Sequence, residues 1–160
     1  MIVPGEGKII FPRGKGLGAI IRVSSAETGG SVSVVEHTLE PGFLGAPSHR
    51  HQREDETSYV LEGELTAQIG DEVATIRPGS IIVKPRGIFH TFWNGGTQPL
   101  RFLEIISPGG FEHYFEELAV LFAGGPPDMR DVNAIAQRYG LEFDMTHIPE
   151  LLQKYGIRLM

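Results

Sequence analysis

The stretch SHRHQREDETSYVLEG, Ser48 to Gly63, decides how the chain is read. His49 and His51 are separated by one residue, and Glu56 follows five residues after the second histidine. Side chains alternate faces along an extended strand, so both imidazoles point to the same side. The polar run Gln52–Asp55 predicts a turn, and Thr57–Leu61 predicts a strand with Glu56 at its start. Two imidazoles and a carboxylate directed at one point are donors suited to a first-row transition metal. A fourth donor, His90, stands in a second patterned stretch, GSIIVKPRGIFHTFWN, from Gly79 to Asn94.

Together the two stretches resemble the two motifs of the cupin family. The first carries His49, His51, Glu56 and Gly63; the second carries Gly79, Pro85, Gly87, His90 and Asn94, with fifteen residues between them. The family's first motif usually opens with a glycine six residues before its first histidine. Here Phe43 holds that position, with Gly42 and Gly45 on either side. The resemblance implies a double-sheet jelly-roll barrel. It also implies that His49, His51, Glu56 and His90 hold one divalent metal ion, and that the protein pairs as a homodimer.

Imidazole nitrogens with one carboxylate oxygen suit Fe, Mn, Ni, Cu, Co or Zn better than Ca or Mg. Three histidines and a glutamate leave open positions, which a catalytic metal needs. Among small bacterial cupins the chain resembles the quercetinase-like group. By that resemblance the expected activity is a metal-dependent dioxygenase acting on an enol-type substrate, with Glu56 as ligand or catalytic base. The same ligand set serves isomerases, decarboxylases and sugar-binding or other small-molecule modules, so the alternative is a cupin without oxygen chemistry. By strand alternation, Ser58, Val60, Ile88, Phe92, Phe102, Glu104 and Ile106 line the pocket, a mainly apolar set.

Glu54 and Asp55 could compete with Glu56 as ligand but are read as a solvated acidic turn; Lys84 and Arg86 could bind an anionic substrate but are read as solvated residues at the rim. His37, His113 and His147 match no motif position and are read as structural or exposed. Trp93 faces away from the metal if His90 faces it. Gly63, Gly79, Pro85 and Gly87 are turn makers.

Working outward, residues 1–18 are read as an irregular arm with one apolar run, Lys8–Phe11, and room for one edge strand. The expected barrel spans 19–107. Its strands are Ala19–Ser24, Ser31–Leu39, Thr57–Leu61, Leu65–Ile69, Val73–Ile76, Ile81–Lys84, Ile88–Trp93 and Leu100–Ser107, and Pro41–Pro47 is read as a loop. Val35, His37 and Leu39 share one face of the second of these strands. Short strands with glycine-bearing turns at this spacing predict a sandwich or barrel.

From Pro108 the period changes. Phe111, Phe115, Leu118 and Phe122 recur at helical spacing before Gly124–Gly125. Asp128 is placed to cap a second helix that ends at Gly140, and a third is expected over Pro149–Tyr155. The fold class is therefore all-β with added helices, and 108–160 form a helical extension packed on the barrel.

The chain has 160 residues, enough for one domain with a sizeable core. Its formal charge of −6 argues against a nucleic-acid partner. The lack of cysteine excludes disulfides, thiolate catalysis and cysteine-bound zinc. The start, MIVPGEGK, shows no signal-peptide pattern and no apolar run reaches membrane-spanning length, so the cytoplasm is the expected compartment, without a membrane partner.

Overall fold

The computed structural model describes residues 6–12, 14 and 16–159. Among the described residues, eleven strands form two antiparallel sheets that face each other as a jelly roll. The six-stranded sheet has the order β1 (Lys8–Phe11), β2 (Leu17–Val23), β3 (Ser33–Leu39), β10 (Leu100–Ser107), β5 (Asp55–Glu62) and β8 (Ile81–Lys84). The five-stranded sheet has the order β11 (Leu141–Asp144), β4 (Leu44–His51), β9 (His90–Trp93), β6 (Leu65–Ile69) and β7 (Glu72–Ile76). Three helices follow the main barrel strands: α1 (Glu112–Ala123), α2 (Met129–Arg138) and α3 (Ile148–Tyr155). Asp128 caps α2 as expected, its Oδ1 accepting from the Arg130 amide at 2.8 Å.

Alternation sorts the two faces cleanly on β5 and β10. Glu56, Ser58, Val60, Phe102, Glu104 and Ile106 are buried, while Thr57, Tyr59, Leu103 and Ile105 remain partly exposed. Leu39, Val60, Leu65, Ala67, Phe92, Leu100 and Phe102 fill the barrel interior. A second cluster joins Ala19, Ile21, Val35 and Ile106 to Phe111, Tyr114, Ile135, Ala136 and Leu141, and so binds α1 and α2 to the barrel. The third packs Trp93 and Leu44 against Ile148, Leu151 and Ile157 of the α3 region, with the Trp93 and Tyr155 rings 4.6 Å apart. Trp93 thus faces away from the histidines, in agreement with the alternation.

Two expectations about secondary structure need correction. The segment Pro41–Pro47 is not wholly a loop, because β4 begins at Leu44. Gly45 makes this possible: a Cβ there would lie 2.1 Å from Phe92 Cε2, so only a glycine lets β4 run this close to that ring. Ile88 precedes β9 and is 42% exposed, so it does not share the inward face of His90 and Phe92. Strand β11 had no counterpart in the sequence reading. It pairs with β4 so that Leu141 opposes His51 and Phe143 opposes His49.

Candidate metal centre

The two sheets each contribute to one cluster. His49 and His51 lie two apart on β4, and His90 opposes His49 across the β4–β9 ladder. Glu56 comes from β5 of the facing sheet. One donor atom from each of His49, His51, Glu56 and His90 lies within 4.8 Å of the others, and all four residues are buried. The structure therefore brings together all four residues singled out by spacing.

Hydrogen bonds behind the rings orient them. His49 Nδ1 lies 2.7 Å from the Pro47 carbonyl, and His90 Nδ1 lies 3.1 Å from the Ile88 carbonyl. A carbonyl can only accept, so each Nδ1 carries the proton and each Nε2 keeps its lone pair. Behind His51 stands the Glu54 carboxylate, with Oε2 3.6 Å from Nδ1. Glu54 is only 6% exposed, which corrects its reading as a solvated turn residue. At 3.6 Å His51 Nδ1 and Glu54 Oε2 make no hydrogen bond, and both atoms are buried without a partner, so the carboxylate lies beside the ring without pinning it.

The electrostatics suit a cation. Burial holds His49 well below the usual histidine range, and the neighbouring His90 and His51 add to that. Burial also lowers His90, against the opposing pull of Glu56. Both are neutral imidazoles near pH 7, the form that ligates metals. Burial pushes Glu56 up, but Lys84, His51 and His90 more than offset it and hold the group well below the usual carboxylate range.

Whether these residues fit a metal can be judged from their unsatisfied atoms. Nε2 of both His51 and His90 is buried without a hydrogen-bond partner, although Glu56 oxygens lie 3.4 Å and 3.3 Å away. Buried polar atoms normally find partners. Converging lone pairs beside an ionised carboxylate are explained by a cation between them, and the donor set fits a divalent transition metal.

The surroundings are partly apolar. Phe111, from the loop between β10 and α1, stacks edge-on to His51 at 4.4 Å, and the Phe143 ring lies 6.2 Å from that of His49. The segment after β10 therefore covers the site from one side. Ser58, Val60, Phe92, Phe102, Glu104 and Ile106 are buried as the alternation predicted.

Lys84 is not at the rim. It is 1% exposed and bonds Glu56 Oε2 at 2.9 Å and Glu104 Oε2 at 2.5 Å. Burial drives Glu104 up to about 7, against the pull of Lys84. Arg86 is exposed and clasps Asp55, Nη2 to Oδ2 at 2.6 Å. His37 is buried among Phe102 and Phe115, while His113 and His147 are exposed.

Fold and site together define a jelly roll with a buried four-donor cluster that could hold a metal ion. Residues 35–106 match the family model described as the cupin domain. That match takes in most of the barrel, from within β3 to β10, and the two sheets have the cupin jelly-roll arrangement. It is 36% identical over 110 residues to germin-like protein subfamily 2 member 2 of Arabidopsis thaliana, covering 64% of this chain and 48% of that protein. The chain thus spans about half the length of this curated relative.

Among solved structures, KdgF from Halomonas sp. superposes with a TM-score of 0.60 at 19% identity, over 71% of this chain and 96% of that one. A sugar phosphate isomerase of the cupin superfamily from Silicibacter pomeroyi gives 0.50 at 27%, over 57% and 59%. A predicted oxalate decarboxylase from Thermotoga maritima gives 0.60 at 23%, over 68% and 98%.

Proposed function

We propose that the protein is a metal-dependent enzyme acting on a small molecule at a cation held by His49, His51, His90 and Glu56. The observation that carries this reading is the buried convergence of four donors with unpartnered Nε2 atoms on His51 and His90. A bound divalent transition metal supplies a Lewis acid that polarises a substrate oxygen. The chain's own residues do the rest. Pro47 and Ile88 carbonyls aim two imidazoles, Glu54 backs the third, and Phe111 limits the access of water beside His51. Glu56 serves as ligand, and as the base where a substrate proton must be taken.

The leading reaction is a dioxygenase of the quercetinase type on an enol or aromatic substrate, supported by the apolar and aromatic side chains around the site. A second reading, an isomerase or decarboxylase without oxygen chemistry, is favoured by the buried Ser58, Lys84 and Glu104 beside Glu56. It also has support from the likeness to a sugar phosphate isomerase. Elemental analysis after loading with Fe, Mn, Ni, Co, Cu or Zn should give about one ion per chain. Oxygen uptake with flavonols or simple enols supports the first reaction. Thermal stabilisation by sugar phosphates or dicarboxylates, without oxygen uptake, supports the second. A protein that binds none of these metals would overturn both.

The proposal extends to organisation in a cytoplasmic homodimer: an arm over 1–18, which supplies β1 and the first residues of β2, a barrel over 19–107 and an extension over 108–160, with 1–5, 13, 15 and 160 lying outside the described residues. In the described residues no helix is long and apolar enough to cross a membrane. The edge strand β8 presents Ile81 at 60% and Val83 at 53% exposure, an apolar edge of the kind that second copies cover. Light scattering of the purified protein tests the dimer.

A further inference from the structure

Four inward side chains of the six-stranded sheet form one connected group that metal ligation alone leaves unexplained. Lys84 opposes Glu56 across the β5–β8 ladder, and Ser58 opposes Glu104 across the β5–β10 ladder. The Lys84 ammonium is shared, 2.9 Å from Glu56 Oε2 and 2.5 Å from Glu104 Oε2. Ser58 Oγ lies 3.1 Å from both oxygens of Glu104. None of the four is more than 5% exposed.

A lysine so placed has little left for a substrate anion. Two carboxylates hold its ammonium, which also sits 5.3 Å from the centre of the Phe92 ring. Burying an ammonium is costly unless partners repay it, and here one of the partners is itself a ligand candidate. What Lys84 can act on is the orientation and donor strength of Glu56. An unrestrained carboxylate can rotate freely beside a cation; one whose Oε2 is held by an ammonium is confined to the orientations that keep that bond.

Building on the metal site proposed above, we propose that Lys84, held in turn by Glu104 and Ser58, is a positioning residue for Glu56. It engages Oε2, which also lies 3.3 Å from His90 Nε2, while Oε1 lies 3.4 Å from His51 Nε2, so the carboxylate is set with an oxygen toward each imidazole. The ammonium thereby fixes the plane in which Glu56 would meet a cation. Glu104 draws part of the ammonium's charge away from Glu56, so the ligand's donor strength depends on a residue that does not touch the metal. This is the role that partners of metal ligands play when they tune a site from behind.

The test uses the full chain and Co(II), whose visible spectrum reports coordination number. Dissociation constants and spectra are compared for wild type, Glu104→Gln and the double variant Lys84→Met/Glu104→Gln. The double variant removes the buried pair together, a change that such sites usually tolerate. Circular dichroism checks that each is folded.

In Glu104→Gln the ammonium rests on Glu56 alone, and Co(II) binding should weaken about tenfold. The double variant should recover most of that loss, with a spectrum that differs from wild type because Glu56 is no longer held in one orientation. Folded variants with the wild-type constant and spectrum would overturn the inference, as would a double variant weaker than Glu104→Gln. A wild type that binds no Co(II), Mn(II) or Zn(II) would instead overturn the metal site itself, and this inference with it.

Discussion

Replacing Glu112 by Gln probes how the segment covering the metal site is held down. Glu112 opens α1 with no measurable exposure, and its carboxylate accepts from two backbone amides: Ser25 to Oε1 at 2.7 Å and Gly110 to Oε2 at 2.8 Å. It thereby ties the turn after β2 to the loop carrying Phe111, whose ring rests on His51. Burial pushes Glu112 up, but its bonds to Ser25 more than offset this and bring it from 4.5 down to about 2. A displacement of that size corresponds to about 3 kcal/mol favouring the ionised, folded form.

The sign follows from proton linkage. Between about pH 4.5 and 2 the unfolded chain holds this proton and the folded one does not, so the contribution is complete above 4.5 and lost as pH falls toward 2. A glutamine keeps one acceptor and turns an amide donor toward the other backbone N–H. Glu112→Gln should therefore cost about 2–3 kcal/mol at neutral pH, and the gap to wild type should close on acidification. Urea unfolding followed by the fluorescence of the single tryptophan, buried Trp93, gives both curves at each pH. Taking the difference cancels other titrations, such as that of His37, which burial lowers to about 4. A gap below about 1 kcal/mol at pH 7, or one that persists unchanged down to pH 3, would refute the reasoning.

Three further outcomes are expected. His51→Ala should abolish stoichiometric metal binding, measured by elemental analysis, while far-UV circular dichroism keeps its β-rich form. Glu54→Gln should lower metal affinity about tenfold in a competition titration, because the carboxylate behind His51 is lost while the ligand remains. Gly45→Ala should destabilise the barrel by about 1–3 kcal/mol in urea unfolding, since the new methyl group meets the Phe92 ring and either that ring or β4 must shift.

The four-donor cluster was legible because strand alternation and a fixed spacing constrain it strongly. His49 and His51 share a face of β4, the chain then crosses to β5 of the facing sheet and brings Glu56 round, and His90 falls into register with His49 across β4–β9. The start of β4 was hidden because Gly42, Gly45 and Pro47 read as loop formers, whereas Gly45 is there to let a strand pass close to Phe92. Strand β11 was not legible: its four residues, LEFD, are too short for a period, and only pairing with β4 defines them. Glu54 looked solvated because it stands in an acidic run, and what buries it is the fold of the turn against His51.

Lys84 is the instructive miss, because alternation alone would have pointed it inward. Within Ile81–Lys84, residues 81 and 83 are exposed and 84 is buried, which is the ordinary two-residue period. What opposed that assignment was the reading of Lys84 together with Arg86, on either side of Pro85, as cations solvated at the rim. The objection fails once register is known, since Lys84 stands opposite Glu56 and within reach of Glu104. A lysine at an inward strand position thus implies acidic partners on neighbouring strands. When one of those partners is also a ligand candidate, the lysine belongs to the chemistry of the site rather than to the surface.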